Sequence, residues 1–293
     1  MVNYFKPKAS NTLVGKTLHV DIVRLDRNGD GVGYIDKKPI FIPTALINEQ
    51  VTVKVIEQKS KYLRGKLLSI AVSNEDRVTP QCAHFGECGG CQLQHLPYQK
   101  QLEYKQDKVA ELFKRNCSVE QLSWSATVQS TPWHYRQKAR IGVQYNRSND
   151  AIVGFRQQSS NQLVSVNQCE VLPQSAADLM PTLTRLINSL SAERAIGHVE
   201  VLFNFASVSV AIFRIINALE TGDVQLIKQW AIDNNYQTML QFDSKLTPLT
   251  HCDALCYLID YNIETAFTNR DFIQVNNSVK QALVGQASSW LSV

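Results

Sequence analysis

Three cysteines in one loop are the residues whose type and spacing best suit them to chemistry. Cys82, Cys88 and Cys91 run C-x5-C-x2-C, with Gly89-Gly90 inside the tighter interval. Glycines let the backbone fold back sharply, so that neighbouring thiolates can converge on one centre. A fourth ligand must come from elsewhere, and Cys117, Cys169, Cys252 and Cys256 are the candidates. Zinc and an iron–sulfur cluster both accept four thiolates, so spacing alone leaves the metal open. Seven cysteines in 293 residues are an odd number and too few for a disulfide scaffold. They fit a reducing, cytoplasmic compartment.

A second set of residues is cationic. Lys54, Lys59, Lys61, Arg64 and Lys66 gather around Tyr62, and Arg136, Lys138 and Arg140 alternate along the chain. Cations hold phosphates, and an aromatic ring stacks on an unpaired base. Three alternating cations on a strand share one face and repel each other unless an anion lies there. The net charge of +4 hides an asymmetry: residues 1–156 carry 23 Lys+Arg against 14 Asp+Glu, a balance of +9, and residues 157–293 carry 7 against 12, a balance of −5. A basic front half points to a polyanion partner. Mean hydropathy is −0.19 and no apolar run approaches the ~18 residues of a spanning helix, so no membrane partner is expected. Met1–Lys8 lacks the apolar core of a signal peptide.

The elements that must position these groups follow from periodicity. Residues 1–12 read as a polar tail. Leu18–Val23, Pro39–Pro43 and Val51–Ile56 read as strands of a small five-stranded barrel over 13–70, with turns at Asn28-Gly29-Asp30-Gly31 and Lys37-Lys38-Pro39. Residues 71–95 read as loop, and 97–116 as a helix from apolar three- and four-residue steps. Strand signals dominate Tyr135–Val210, broken by a helix near Ala176–Leu190. A helix is expected over 223–233, strands over Ala254–Tyr261 and Phe272–Val275, and a helix over 277–291. Gly29, Gly31 and Gly33 precede no helix and are not read as a nucleotide loop. His251, Cys252 and Cys256 are read as sheet residues rather than as a metal site.

The run Pro80-Gln-Cys-Ala-His-Phe-Gly-Glu-Cys-Gly-Gly-Cys-Gln-Leu-Gln-His-Leu96 resembles the cluster loop of the bacterial RNA uracil-5-methyltransferases. Tyr98–Lys105, Tyr135–Arg140, Val166–Cys169 and Asp271–Asn276 continue the resemblance. It implies a [4Fe-4S] cluster on Cys82, Cys88, Cys91 and Cys169. It also implies S-adenosylmethionine as cofactor, touched by Gln274, and a target base near Phe272. Gly29–Tyr34, Ile40–Leu46 and Lys59–Lys66 resemble a TRAM domain, an RNA-binding barrel. Within the family, a TRAM barrel joined to the cluster implies methylation of uracil C5 in 23S ribosomal RNA by a monomeric enzyme. A non-catalytic RNA-binding iron–sulfur protein is the alternative, as is a relative acting on another rRNA or tRNA site.

That reaction needs a thiolate that adds to C6, a base that removes the C5 proton, and the methyl donor beside the ring. No glycine-rich strand–helix turn follows Gly197, and no late nucleophile motif is evident, so no catalytic residue is assigned. The expected fold is therefore α+β: an OB-like TRAM barrel, a central cluster-bearing domain over 71–270, and only the start of a doubly wound methyltransferase domain over 271–293. The catalytic part is expected to be missing, the chain to be an inactive fragment, and a helical segment over about 100–131 to dock on the absent domain.

Overall fold

The computed structural model describes residues 12–203, 209–253, 255–258 and 264–291. All but one residue of the expected tail lies outside that set. The chain divides into two units: residues up to Gln81 with Cys91–Leu122, and Cys82–Gly90 with the residues from Ser123 onward.

Alternating, β-branched runs build the first unit. Six strands, β1 (Thr17–Asp21), β2 (Arg24–Leu25), β3 (Gly31–Ile35), β4 (Lys38–Ile42), β5 (Gln50–Gln58) and β6 (Leu63–Val72), lie in the order β1-β5-β6-β4-β3-β2. Their inward residues, Val20, Ile40, Ile42, Val51, Val53, Val55 and Leu63 among them, form one apolar core. Where β3 passes β1, a Cβ at Gly33 would meet Val20 Cγ1 at 2.2 Å and the Asp21 carbonyl at 2.6 Å, so only glycine lets these strands approach. The glycine-rich stretch is a turn. The Asp26 carboxylate accepts from the Asn28 amide at 2.8 Å and the Asp30 amide at 2.9 Å, and Gly29 takes φ +90°. Glu49 is buried and accepts from Arg77 Nε at 2.6 Å and Nη2 at 2.8 Å, and from the Leu46 amide at 2.8 Å. Burial pushes its carboxyl up, but these bonds more than offset that and hold it below the usual carboxylate value. Helix α1 (Tyr98–Cys117) belongs to this unit. It buries no residue fully, and its Tyr104 hydroxyl donates to the Asp26 carbonyl.

The second unit is built on seven strands in the order β13-β12-β11-β10-β7-β8-β9: β7 (Lys138–Tyr145), β8 (Ala151–Arg156), β9 (Leu163–Ser165), β10 (Ile196–Phe203), β11 (Ser209–Ile215), β12 (Tyr236–Phe242) and β13 (Lys245–Pro248). One face packs Ala139, Ile141, Val143, Val199, Val201 and Phe213 against α2 (Leu179–Ser189) and α3 (Thr221–Asp233). In α2 the buried Leu179, Leu183, Leu186 and Ile187 recur at helical steps. A capping box starts α3: Asp223 accepts from the Glu220 amide at 3.1 Å, and also from the Ser191 amide at 2.7 Å.

This unit corrects the expected α+β class. β11 and β12 pair in parallel, Ser209↔Tyr236 through Ile215↔Phe242, with α3 as the crossover between them. A parallel pair needs such a connection, so β11-α3-β12 is a β-α-β unit, set in a sheet whose other five pairings are antiparallel. Further on, β14 (Leu255–Leu258) and β15 (Glu264–Phe267) form a hairpin, and α4 spans Asn277–Leu291. Phe272–Val275 is not a strand. It is chain without regular secondary structure, held by one bridge, Arg136↔Asn276, and by the Gln137 amide on the Val275 carbonyl at 2.8 Å. No helix among the described residues is long and apolar enough to cross a membrane.

Candidate RNA and cofactor site

The cysteine loop is pinned to the β8–β9 hairpin by backbone bonds. The Gly89 amide donates to the Arg156 carbonyl at 2.9 Å, and the Gln158 amide to the Glu87 carbonyl at 3.0 Å. His84 Nε2 accepts from the Asn167 amide at 3.3 Å, which ties the loop to the segment carrying Cys169. Cys88 Sγ accepts from the Gly90 amide at 3.4 Å. Burial raises the Cys88 thiol, and the nearby Cys169 and Cys82 raise it further. All are half-buried, as is Cys91, which falls in the first unit. Among the described residues, no group of three or more His, Cys, Asp or Glu is drawn up to hold a metal ion. Cys117 is exposed, Cys252 lies against the Thr250 and Thr238 carbonyls, and the Cys256 side chain lies outside the described residues.

Arg136, Lys138, Arg140 and Phe272 come together. They line one cleft of about 640 Å³ with Glu200, Gln241, Asn269 and Arg270. Lys138 and Arg140 share a face of β7 because strand residues two apart point the same way. Arg136 precedes the strand, contrary to the alternation, and its Nε donates to the Lys138 carbonyl at 3.0 Å. Lys138 is engaged within the protein: its Nζ donates to the Asn269 carbonyl at 2.7 Å and the Asp271 carbonyl at 3.2 Å, and lies 3.6 Å from buried Glu200. It fixes the loop that presents Phe272, whose ring is 84% exposed. Gln274 is exposed and does not line this cleft.

A second cleft of about 980 Å³ opens on the same sheet face, lined by Arg140, Gln144, Arg156, Asn161, His198 and their neighbours. Sequence reasoning missed Arg156 and His198. The signal for His198 was available, since His198 and Glu200 interrupt an apolar strand at a two-residue step. Burial, and then the Arg140 charge, hold the His198 imidazole below its usual value, hence neutral at pH 7.

In the barrel, Lys54 stands directly opposite Lys66, and both are exposed. Lys59 and Arg64 flank Glu57 at 3.0 and 3.4 Å, and the Arg64 guanidinium lies 6.0 Å from the Tyr62 ring centre. Lys61 is exposed.

The TRAM domain family matches residues 11–68. The chain is 38% identical to the 23S rRNA (uracil(1939)-C(5))-methyltransferase RlmD of Colwellia psychrerythraea, across 100% of this chain and 68% of that protein. It is 37% identical to the RlmD of Aliivibrio fischeri, across 100% and 66%. The chain thus spans about two thirds of these relatives' length. The solved tRNA (uracil-54, C5)-methyltransferase of Pyrococcus abyssi, in complex with S-adenosyl-L-homocysteine, shares the fold with a TM-score of 0.68 at 17% identity, over 92% of this chain and 64% of that one. This overturns two expectations. The region after the barrel is α/β and methyltransferase-like rather than a cluster domain lacking that fold, and the catalytic part is not missing on the grounds given. Nor do the comparisons support the inactive-fragment reading. On this evidence the chain belongs to the RlmD family of 23S rRNA uracil-C5 methyltransferases.

Proposed function

We propose that this protein methylates C5 of a uracil in 23S ribosomal RNA, working as a monomer in the cytoplasm. The observation that carries the reading is Phe272, a ring left 84% exposed at a cleft lined by Arg136, Lys138 and Arg140. A large ring held in solvent serves no packing purpose, whereas it suits stacking on an unstacked base. Bound S-adenosylmethionine would supply the methyl group. Phe272 positions the uracil, Gln274 faces the cofactor, Arg136 and Arg140 neutralise phosphates, and Lys138 holds the Asn269–Asp271 loop in place. On the barrel, Lys54, Lys59, Lys61, Arg64 and Lys66 hold flanking phosphates, and Tyr62 offers a stacking face. The test is tritium transfer from S-adenosylmethionine to a 23S rRNA fragment containing U1939. Wild-type protein should transfer label. Phe272→Ala should lose about tenfold or more, in keeping with ~1–3 kcal/mol for one base–aromatic stack, with an unchanged melting temperature. Absence of transfer by wild type overturns the reading.

Cys82, Cys88, Cys91 and Cys169 would hold a [4Fe-4S] cluster. Supporting this are the nearness of Cys82 and Cys169 to Cys88 and the bond from the Asn167 amide to His84, which ties the cysteine loop to the Cys169 segment. A cluster is wider than one ion, so its thiolates stand further apart than those around zinc. Bound, it would cross-link the loop to the sheet, and its binding free energy would add to folding. Anaerobically prepared protein should contain iron and sulfide, and Cys169→Ala should lose both. Stoichiometric zinc without sulfide would refute the assignment.

A further inference from the structure

We propose that the 980 Å³ cleft beside the cysteine loop is a second RNA-binding site, which takes a single-stranded stretch of the substrate by its phosphodiesters on Arg140 and Arg156. The inference rests on the RNA-methylation reading above. Its lining holds two arginines and His198 and no carboxylate. Among the described residues, neither guanidinium enters a hydrogen bond or an ion pair. Glu200, two residues beyond His198 on β10, is taken by Lys138 and by Asn269 Nδ2 at 3.3 Å. Two uncompensated guanidiniums around one cleft repel each other unless an anion lies between them. A neutral His198 adds no repulsion and offers both a donor and an acceptor.

The cleft is also built in advance. Gln144 Nε2 donates to the Asn161 carbonyl at 2.8 Å, and its Oε1 accepts from the Leu163 amide at 3.1 Å, which holds the 157–162 turn against β7. From the other side, the cysteine loop holds the same turn through the Gly89–Arg156 and Gln158–Glu87 bonds. Walls fixed before binding cut the ordering cost of the complex. Arg140 lines this cleft and the Phe272 cleft alike. A strand whose target base sits on Phe272 would therefore carry its neighbouring phosphates past Arg140 to Arg156. That continuity favours an RNA chain over a lone anion, and the exposed Asn161 and Gln157 amides suit base edges.

The experiment measures binding of the full chain to a labelled 23S rRNA fragment containing U1939 by fluorescence anisotropy across a potassium chloride series. Arg156 is exposed, so Arg156→Gln should leave the fold intact. It should weaken binding about three- to tenfold at low salt and flatten the slope of log affinity against log salt by about 0.7, one single-strand phosphate contact. Arg140→Gln/Arg156→Gln should flatten it by about 1.4. If wild type binds and the double variant keeps both affinity and slope, the cleft assignment is wrong while the function stands. If wild type does not bind the fragment, the function reading itself fails.

Discussion

The two units place their cations differently. In the barrel, Lys54 and Lys66 project from neighbouring strands into solvent, facing each other across the ladder. In the seven-stranded sheet, Lys138 turns inward to buried Glu200 and two carbonyls, while Arg140, two residues on, is left open to both clefts. A lysine in a basic run is thus not by itself a ligand for phosphate. What separates the two roles is whether a buried acid is folded against it, as Glu200 is against Lys138; Glu57, beside Lys59 and Arg64, is itself open to solvent.

Substitutions can sharpen that contrast, taken from the largest expected effect downward. Arg77→Ala removes the partner of Glu49, a carboxylate 1% exposed, and should cost about 3–5 kcal/mol, read as a lower urea midpoint. The same pair predicts acid sensitivity. Glu49 titrates lower when folded than its usual 4.5, so its contribution is complete above that value and is lost as pH falls through the folded one. Urea midpoints measured from pH 7 downward should therefore drop below about pH 4.5, and a flat profile would mean that Glu49 is compensated elsewhere.

Lys138→Ala should cost less, about 1–3 kcal/mol, because it strands buried Glu200 and two loop carbonyls that water can partly reach. If Lys138→Ala left stability unchanged and abolished RNA binding, Lys138 would belong with the open cations after all. At the small end, Lys54→Gln should change stability by no more than ~0.5 kcal/mol, tending to stabilise by relieving a like-charge pair. It should still flatten the RNA salt slope by about 0.7–0.9. An unchanged slope would leave Lys54 as surface charge only.

Much of this was legible in the sequence where the signal is local. The three- and four-residue steps of Tyr98–Phe113 mark α1, alternation marks β5, and Val51, Val53 and Val55 face the core as their period requires. One cleft was legible as residue types: Arg136, Lys138, Arg140 and Phe272 share its lining. What failed was non-local. Nothing in residues 209–242 read alone says that β11 and β12 pair in parallel, and that pairing makes the β-α-β unit. Phe272–Val275 is aromatic and β-branched, yet it finds no strand beside it beyond the single bridge at Asn276. The inward turn of Lys138 depends on Glu200 and Asn269, which are 62 and 131 residues away along the chain.

The tie between Arg136–Gln137 and Val275–Asn276 sets a schedule as well as a shape. During synthesis the earlier elements can fold as they emerge, but Arg136 and Gln137 have nothing to close against until some 140 further residues, through the loop carrying Phe272, have been made. The cleft around Phe272 is therefore the last part of this sheet to be completed, so a growing chain presents a folded barrel well before that cleft exists.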